Sequence, residues 1–121
     1  SDHIYFKTPT LIERAKNCEK PLIISECGGY TLKIENHVWN PKAKYGYGSS
    51  NSKKELTQKI VQMYKKMIIP AIKHGLSGCV YTQLSDVEDE INGFYTYDRK
   101  VCKVEKEAML EIAEEIKREM N

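Results

Sequence analysis

The residue best suited to chemistry is Glu26, in the run Ser25-Glu26-Cys27-Gly28-Gly29. A short apolar stretch, Pro21-Leu22-Ile23-Ile24, delivers it, so this carboxylate ends a strand candidate instead of decorating a helix surface. The two glycines behind it let the backbone turn sharply and leave open space beside the acid. A nucleophilic carboxylate needs a fixed position and room beside it, here enough for a sugar ring. The bland alternative is a carboxylate that caps a helix or closes a salt bridge at a strand end.

A second cluster is Tyr81-Thr82-Gln83-Leu84-Ser85-Asp86. Hydroxyl, amide and carboxylate groups at the end of another strand candidate suit sugar hydroxyls, which both donate and accept hydrogen bonds. Ordinary polar chemistry at a strand end is the competing explanation. Tyr30, Trp39, Tyr45 and Tyr47 lie in the long stretch 30–51, where they can stack on sugar faces or pack. Asp86, Glu88, Asp89 and Glu90 lack the central glycine of a calcium loop, and a solvated acidic loop is expected there. The histidines His3, His37 and His74 have no metal-ligand spacing, so no metal and no cofactor is expected.

The elements that must position these groups follow from spacing. Thr8-Pro9 suits a helix start, with Leu11, Ile12 and Ala15 as its apolar stripe. The run 21–26 lacks alternation and is β-branched, which fits a parallel strand covered on both faces. Residues 30–51 read as an irregular loop, and a loop of that length is usually functional or disordered. Ser52-Lys53-Lys54-Glu55 is a capping box opening a helix with Leu56, Ile60, Tyr64, Met67, Ala71 and Ile72 at helical spacing. Pro70 is placed to kink that helix, and His74-Gly75 to end it. Leu76–Leu84 is a second buried strand. Val104, Ala108, Ile112, Ile116 and Met120 mark one face of a final helix. Helices alternating with strands imply a parallel α/β sheet, in which the loops after the strands carry the chemistry.

With 121 residues and a formal net charge of +2, the chain is one domain or part of one, and its charge gives no reason to expect nucleic acid. No apolar run is long enough for a membrane span. The four cysteines form no C-x-x-C pair and are expected to be free thiols in a reducing compartment, which points to the cytoplasm.

At these residues the chain resembles glycoside hydrolase family 2, the β-galactosidase and β-glucuronidase group. The resemblance is carried by Lys20-Pro21-Leu22-Ile23-Ile24-Ser25-Glu26-Cys27-Gly28-Gly29, by Tyr45-Gly46-Tyr47-Gly48, and by the segment from Tyr81 to Gly93 running into Thr96-Tyr97-Asp98-Arg99-Lys100. It spans about residues 20–103. It implies a (β/α)8 TIM barrel of ~250 residues. Residues 1–121 would then be one partial domain, its C-terminal part: the last two βα units plus a preceding helix. Glu26 matches the nucleophile at the end of the seventh strand, and Leu76–Leu84 would be the eighth. The family's acid/base glutamate lies on an earlier strand and is absent here. Cys27 stands where an aromatic often follows the nucleophile. The family's glucuronidases carry an Asn-x-Lys pair before the glycine of the loop after strand eight. Glu90, Ile91 and Asn92 stand there in this chain, which disfavours a glucuronide.

The resemblance therefore implies a retaining β-glycosidase acting by double displacement on a carbohydrate substrate, with the two carboxyls ~5–5.5 Å apart in the complete site. Tyr81, Thr82, Gln83, Asp86 and Trp39 are the expected sugar contacts, and the isolated chain is expected to be inactive. Open strand edges are expected to make it self-associate. The rival is a non-catalytic carbohydrate-binding or assembly module on the same half-barrel. A small doubly wound domain is a weaker third reading, because Cys27-Gly28-Gly29 lacks the G-x-G-x-x-G phosphate loop.

Overall fold

The computed structural model describes residues 2–4, 8–44 and 46–121; Tyr45 lies outside the described residues, as do the side chains of His3, Thr8 and Pro9. The chain is α/β with parallel strands. Strands β1 (Asp2–Ile4), β2 (Leu22–Gly28) and β5 (Leu76–Thr82) form a parallel sheet in the order β1-β2-β5. Helix α1 (Thr8–Asn17) connects β1 to β2. Helices α2 (Lys53–Met63) and α3 (Ile69–Lys73) precede β5, and α4 (Lys106–Met120) closes the described chain. Strand β1 was not foreseen, and it makes β2 the central strand.

The helices cover one face of the sheet. Leu11 and Ala15 of α1, Leu56, Ile60 and Met63 of α2, Ile69 and Ala71 of α3 and Ile112 of α4 join Leu22, Ile24, Cys27 and Leu76 in one apolar core. The expectation of strands buried on both faces is corrected: Ile23 is 46% exposed and Val80 55%. Both belong to the face turned away from the helices. Gly78 pairs with Ile23 there, and among the described residues nothing lies within 4 Å of a Cβ added to it.

Helix α2 starts as its sequence dictates. The Ser52 hydroxyl accepts from the Glu55 amide at 3.1 Å, and Glu55 accepts from the Asn51 amide at 2.9 Å. Near its end the helix widens into a π turn, Tyr64–Ile68, directly before Pro70. Proline has no N–H and its ring crowds the carbonyl four residues back, so a wider turn absorbs the mismatch that spacing alone read as a kink. Gly75, at φ +109°, ends the helix as expected. The final helix is shorter than its apolar spacing suggested. Val104 lies before it, and Met120 is 54% exposed while Ile112 is buried.

The stretch 30–51 is less irregular than expected. Tyr30–Leu32 (β3) and Tyr47–Ser50 (β4) pair in parallel across it, and the Tyr47 amide donates to the Gly29 carbonyl at 2.7 Å. Tyr30, Thr31 and Leu32 are all buried, so this short run is held by packing despite its length.

Candidate functional site

The site is built where β2 and β5 end. Along β2, Ile24 and Cys27 both face the helices and both are fully buried, although three residues apart. Strict alternation would put them on opposite faces. The register against β5 resolves this: Ile24 pairs with Cys79 and Cys27 with Tyr81, with a bulge-type shift between them. The extra residue leaves Ser25 and Glu26, both half-buried, off the helix-packed face. Glu26 pairs in register with His3 of β1, which places it near the carboxyl end of the central strand. Gly28 at φ +91° and Gly29 at +77° then turn the chain into β3.

Gly28 is required twice over. Its φ is left-handed, and a Cβ there would meet the Tyr81 ring at 2.2 Å. Tyr81 lies against that glycine and stacks on Phe94, with ring centroids 4.4 Å apart, and on Tyr64 at 6.5 Å. The expectation that Tyr81 contacts sugar is thereby corrected. Its ring faces the helices as part of the core, because it follows Cys79 by two on the same face of β5. Burial pushes the Tyr81 and Tyr64 phenols up, so both stay neutral. Beside them, the Cys27 thiol donates to the Val80 carbonyl at 3.4 Å. Hydrogen bonding with Cys79 and burial push that thiol up, which makes it a packing group. All four cysteines are free.

Thr82, the next residue along, falls on the face away from the helices and is half-buried. Its carbonyl accepts from the Gly29 amide at 2.9 Å, which ties the exits of the two strands together. The Gln83 amide group is held from two sides, donating to Glu90 Oε2 at 2.9 Å and Asn92 Oδ1 at 2.7 Å. An open cleft of about 370 Å³ lies outside it, lined by Gln83, Val87, Glu88, Asp89 and Glu90.

Asp86 is also corrected. It was read as a sugar contact within a solvated acidic loop, and it is 4% exposed. Its Oδ1 accepts from the Gly93 amide at 2.8 Å and from Lys103 Nζ at 2.7 Å. Lys103 is fully buried and also donates to the carbonyls of Leu32 at 2.7 Å and Ile91 at 2.9 Å. Three acceptors match the three donors of an ammonium group. Burial raises the Asp86 carboxyl and lowers the Lys103 amine, and their contact opposes both shifts. One cation thus pins β3 to both ends of the loop after β5. Gly93 is part of the same knot, because a Cβ there would meet the backbone of Ser85 and Asp86 within 2.6 Å.

Above this buried tier the two loops meet again. His37 Nδ1 lies 2.8 Å from Asp98 Oδ2, and the Asn40 amide donates to Asp89 Oδ1 at 2.9 Å. Asp98 Oδ1 accepts from the Thr96 hydroxyl at 2.5 Å and the Lys100 amide at 3.1 Å. The Thr96 hydroxyl, then His37, hold the Asp98 carboxyl well below the usual carboxylate range. Between the two bridges Trp39, 65% exposed, meets Tyr97 edge-to-face at 5.8 Å. The sequence assigned no site role to Lys103, His37, Tyr97 or Asp98, although His37 was weighed as a metal ligand and Tyr97 and Asp98 lie in the segment that carries the resemblance. A lysine in a basic run gives no sign of burial, and His37 and Asp98 are 61 positions apart.

Glu26 on β2 and Thr82 on β5 are thus half-buried, Gln83 follows at the exit of β5, Trp39 is exposed beside Tyr97, and Tyr81 and Asp86 belong to the packing. Comparison of the chain with models of known protein families gave no match, and neither did comparison with curated proteins. No described helix is long and apolar enough to cross a membrane.

Proposed function

We propose that this chain is the C-terminal portion of the (β/α)8 catalytic barrel of a retaining β-glycosidase resembling glycoside hydrolase family 2, β-galactosidase-like in substrate, with Glu26 as the nucleophile. The observation that carries this reading is the position of Glu26. It is half-buried near the carboxyl end of the central parallel strand, turned off the helix-packed face, with two left-handed glycines behind it. In parallel α/β folds this end of the sheet holds the chemistry. Ile23, Gly78 and Val80 suit the reading as well, because a barrel's inner layers would cover the face they share.

In the reaction, the ionised Glu26 carboxylate attacks the anomeric carbon while an acid in the longer polypeptide protonates the departing oxygen. The glycosyl ester on Glu26 is then opened by water, which the same group deprotonates, so the configuration is retained. Thr82 borders the attacked sugar from β5, and Gln83 is held still beside it by Glu90 and Asn92. No metal is required, because the developing positive charge sits on the sugar beside a carboxylate. A chain holding the nucleophile without the acid turns over no glycoside.

The test is Glu26→Gln in the longer polypeptide, assayed for hydrolysis of an aryl β-galactoside. A fall in kcat by roughly 10³ or more is expected. Turnover within a few-fold of the parent removes Glu26 from the mechanism.

The same reading assigns the free chain a tendency to self-associate. β1 and β5 are outer strands, and β5 (Leu-Ser-Gly-Cys-Val-Tyr-Thr) carries neither charge nor proline to discourage a partner strand. Sedimentation of the 121-residue chain is expected to show concentration-dependent dimers or larger species. A single monomer boundary at high concentration contradicts that.

A further inference from the structure

We infer that Trp39 and Tyr97 form a stacking platform for one pyranose ring, so that the ligand of this site is a saccharide of more than one unit. That second step rests on the glycosidase reading; the platform itself does not.

Four observations carry the inference. Trp39 is 65% exposed and Tyr97 39%, yet neither sits on a free loop tip. The His37–Asp98 contact at 2.8 Å and the Asn40–Asp89 hydrogen bond at 2.9 Å flank the pair. Within its own loop, the Asn40 carbonyl accepts from the Ala43 amide at 2.9 Å and the Asn40 side chain from the Lys42 amide at 3.0 Å, and Ala43 is buried. An exposed indole is thus presented in a fixed orientation, at the cost of leaving a large apolar surface in water.

The contact between the rings lies at 81°, edge to face. Such a contact uses the edge of one ring and one face of the other, so flat aromatic area remains free. The axial C–H groups of a pyranose carry slight positive charge and fit against the negative face of such a ring. The bridge beside the pair is polar: Asn40 and Asp89, 2.9 Å apart, can meet the equatorial hydroxyls.

The platform belongs to the outer tier. Leu32, Asp86, Ile91, Asn92, Thr96 and Lys103, all 5% exposed or less, form the buried tier of the same two loops. Trp39 is thus on the exposed tier, whereas Glu26 is half-buried on β2. In this proposal the two positions hold different units of one chain.

Trp39 is the only tryptophan, so its emission reports directly on the platform. Titration of the 121-residue chain with a β-1,4-linked galactotetraose is expected to give a saturable change in emission. Methyl β-galactoside should give a much weaker one. Tyr97→Ala should weaken tetrasaccharide binding roughly tenfold, and Tyr97→Phe should retain it. Saturation-transfer NMR on the saccharide should show the same loss for Trp39→Ala, with circular dichroism confirming the fold of each variant. No emission change at millimolar tetrasaccharide, or equal binding by folded Trp39→Ala, overturns the platform. Binding here together with unaltered hydrolysis by the Glu26 variant of the longer polypeptide would remove the chemistry and leave the platform. The reverse pair of results would remove the platform alone.

Discussion

The floor and the roof of this molecule are held by different forces. Beneath the sheet, Leu11, Ile24, Leu56, Ile60 and Ile68 are almost completely buried, and the cohesion is apolar area withdrawn from water. Over the strand ends, the cohesion comes from a buried ammonium with three acceptors, a histidine–aspartate contact and an amide–carboxylate bond. Apolar packing tolerates small shifts and specifies orientation loosely. Polar contacts fail when a partner is missing, and so they fix geometry. The proposed site, which has to aim Glu26, Gln83 and Trp39, is better served by the second kind. The lesson is that stability and positioning are divided here between two ends of the same sheet.

The largest expected effect tests the roof. Lys103→Met leaves Asp86 buried without its cation and should cost about 3–5 kcal/mol, read as a shift in the urea midpoint. The double variant Lys103→Met with Asp86→Leu should recover much of that loss, since no lone charge remains. Leu56→Ala in the floor should cost about 2–5 kcal/mol by leaving a cavity. Combined with Ile60→Ala it should show no such recovery. A Lys103/Asp86 double variant as unstable as the worse single one would erase the distinction between the two ends.

Gly28→Ala comes next, at about 2–4 kcal/mol from a left-handed backbone and the Tyr81 ring in the way. Because Tyr81 is itself wedged between Phe94 and Tyr64, the cost should fall when Tyr81 is cut to Ala in the same chain. A smaller effect belongs to Ser52→Ala. Loss of the cap on α2 should cost ~1 kcal/mol in thermal unfolding and leave the emission of Trp39 unchanged, since the lost bond is local to the first turn of the helix.

The subtlest effect is on pH. The Asp98 carboxyl is held below its ordinary value of 3.8, so its contribution is complete above that value. It is lost as pH falls through the lower, folded value. Acidification should therefore loosen the outer tier and change Trp39 emission only below the usual carboxylate range. Asp98→Asn should abolish this step without moving the urea midpoint of the core. An acid step that survives in Asp98→Asn would assign it to another group.

The floor was largely legible in the sequence because it is built from local regularity. Helical spacing located α1, α2 and the centre of α4, the capping box located the start of α2, and apolar runs located β2 and β5. The α/β class with parallel strands followed from their alternation. The roof was legible only in part. Glu26 stood out because an acid at the end of an apolar run, followed by two glycines, is locally unusual. Trp39 stood out as an aromatic in a polar loop. Tyr81 was misread because its neighbours Thr82 and Gln83 are polar, and only the register against β2 reveals which face it takes. Asp86 was misread because the cation that buries it stands 17 positions away. Pairings of this kind, like His37 with Asp98, depend on where loops meet in space, and no local pattern encodes them.

If Glu26 is the nucleophile proposed above, it becomes covalently attached to the sugar. The most direct measurement is to incubate the longer polypeptide with a 2-deoxy-2-fluoro β-galactoside bearing a good leaving group, which slows hydrolysis of the glycosyl-enzyme, and to map the label by peptide mass spectrometry. One fluoro-sugar is expected on the peptide containing Ser25-Glu26-Cys27, and none after Glu26→Gln. A label on a different carboxylate, with that peptide unmodified, would contradict it.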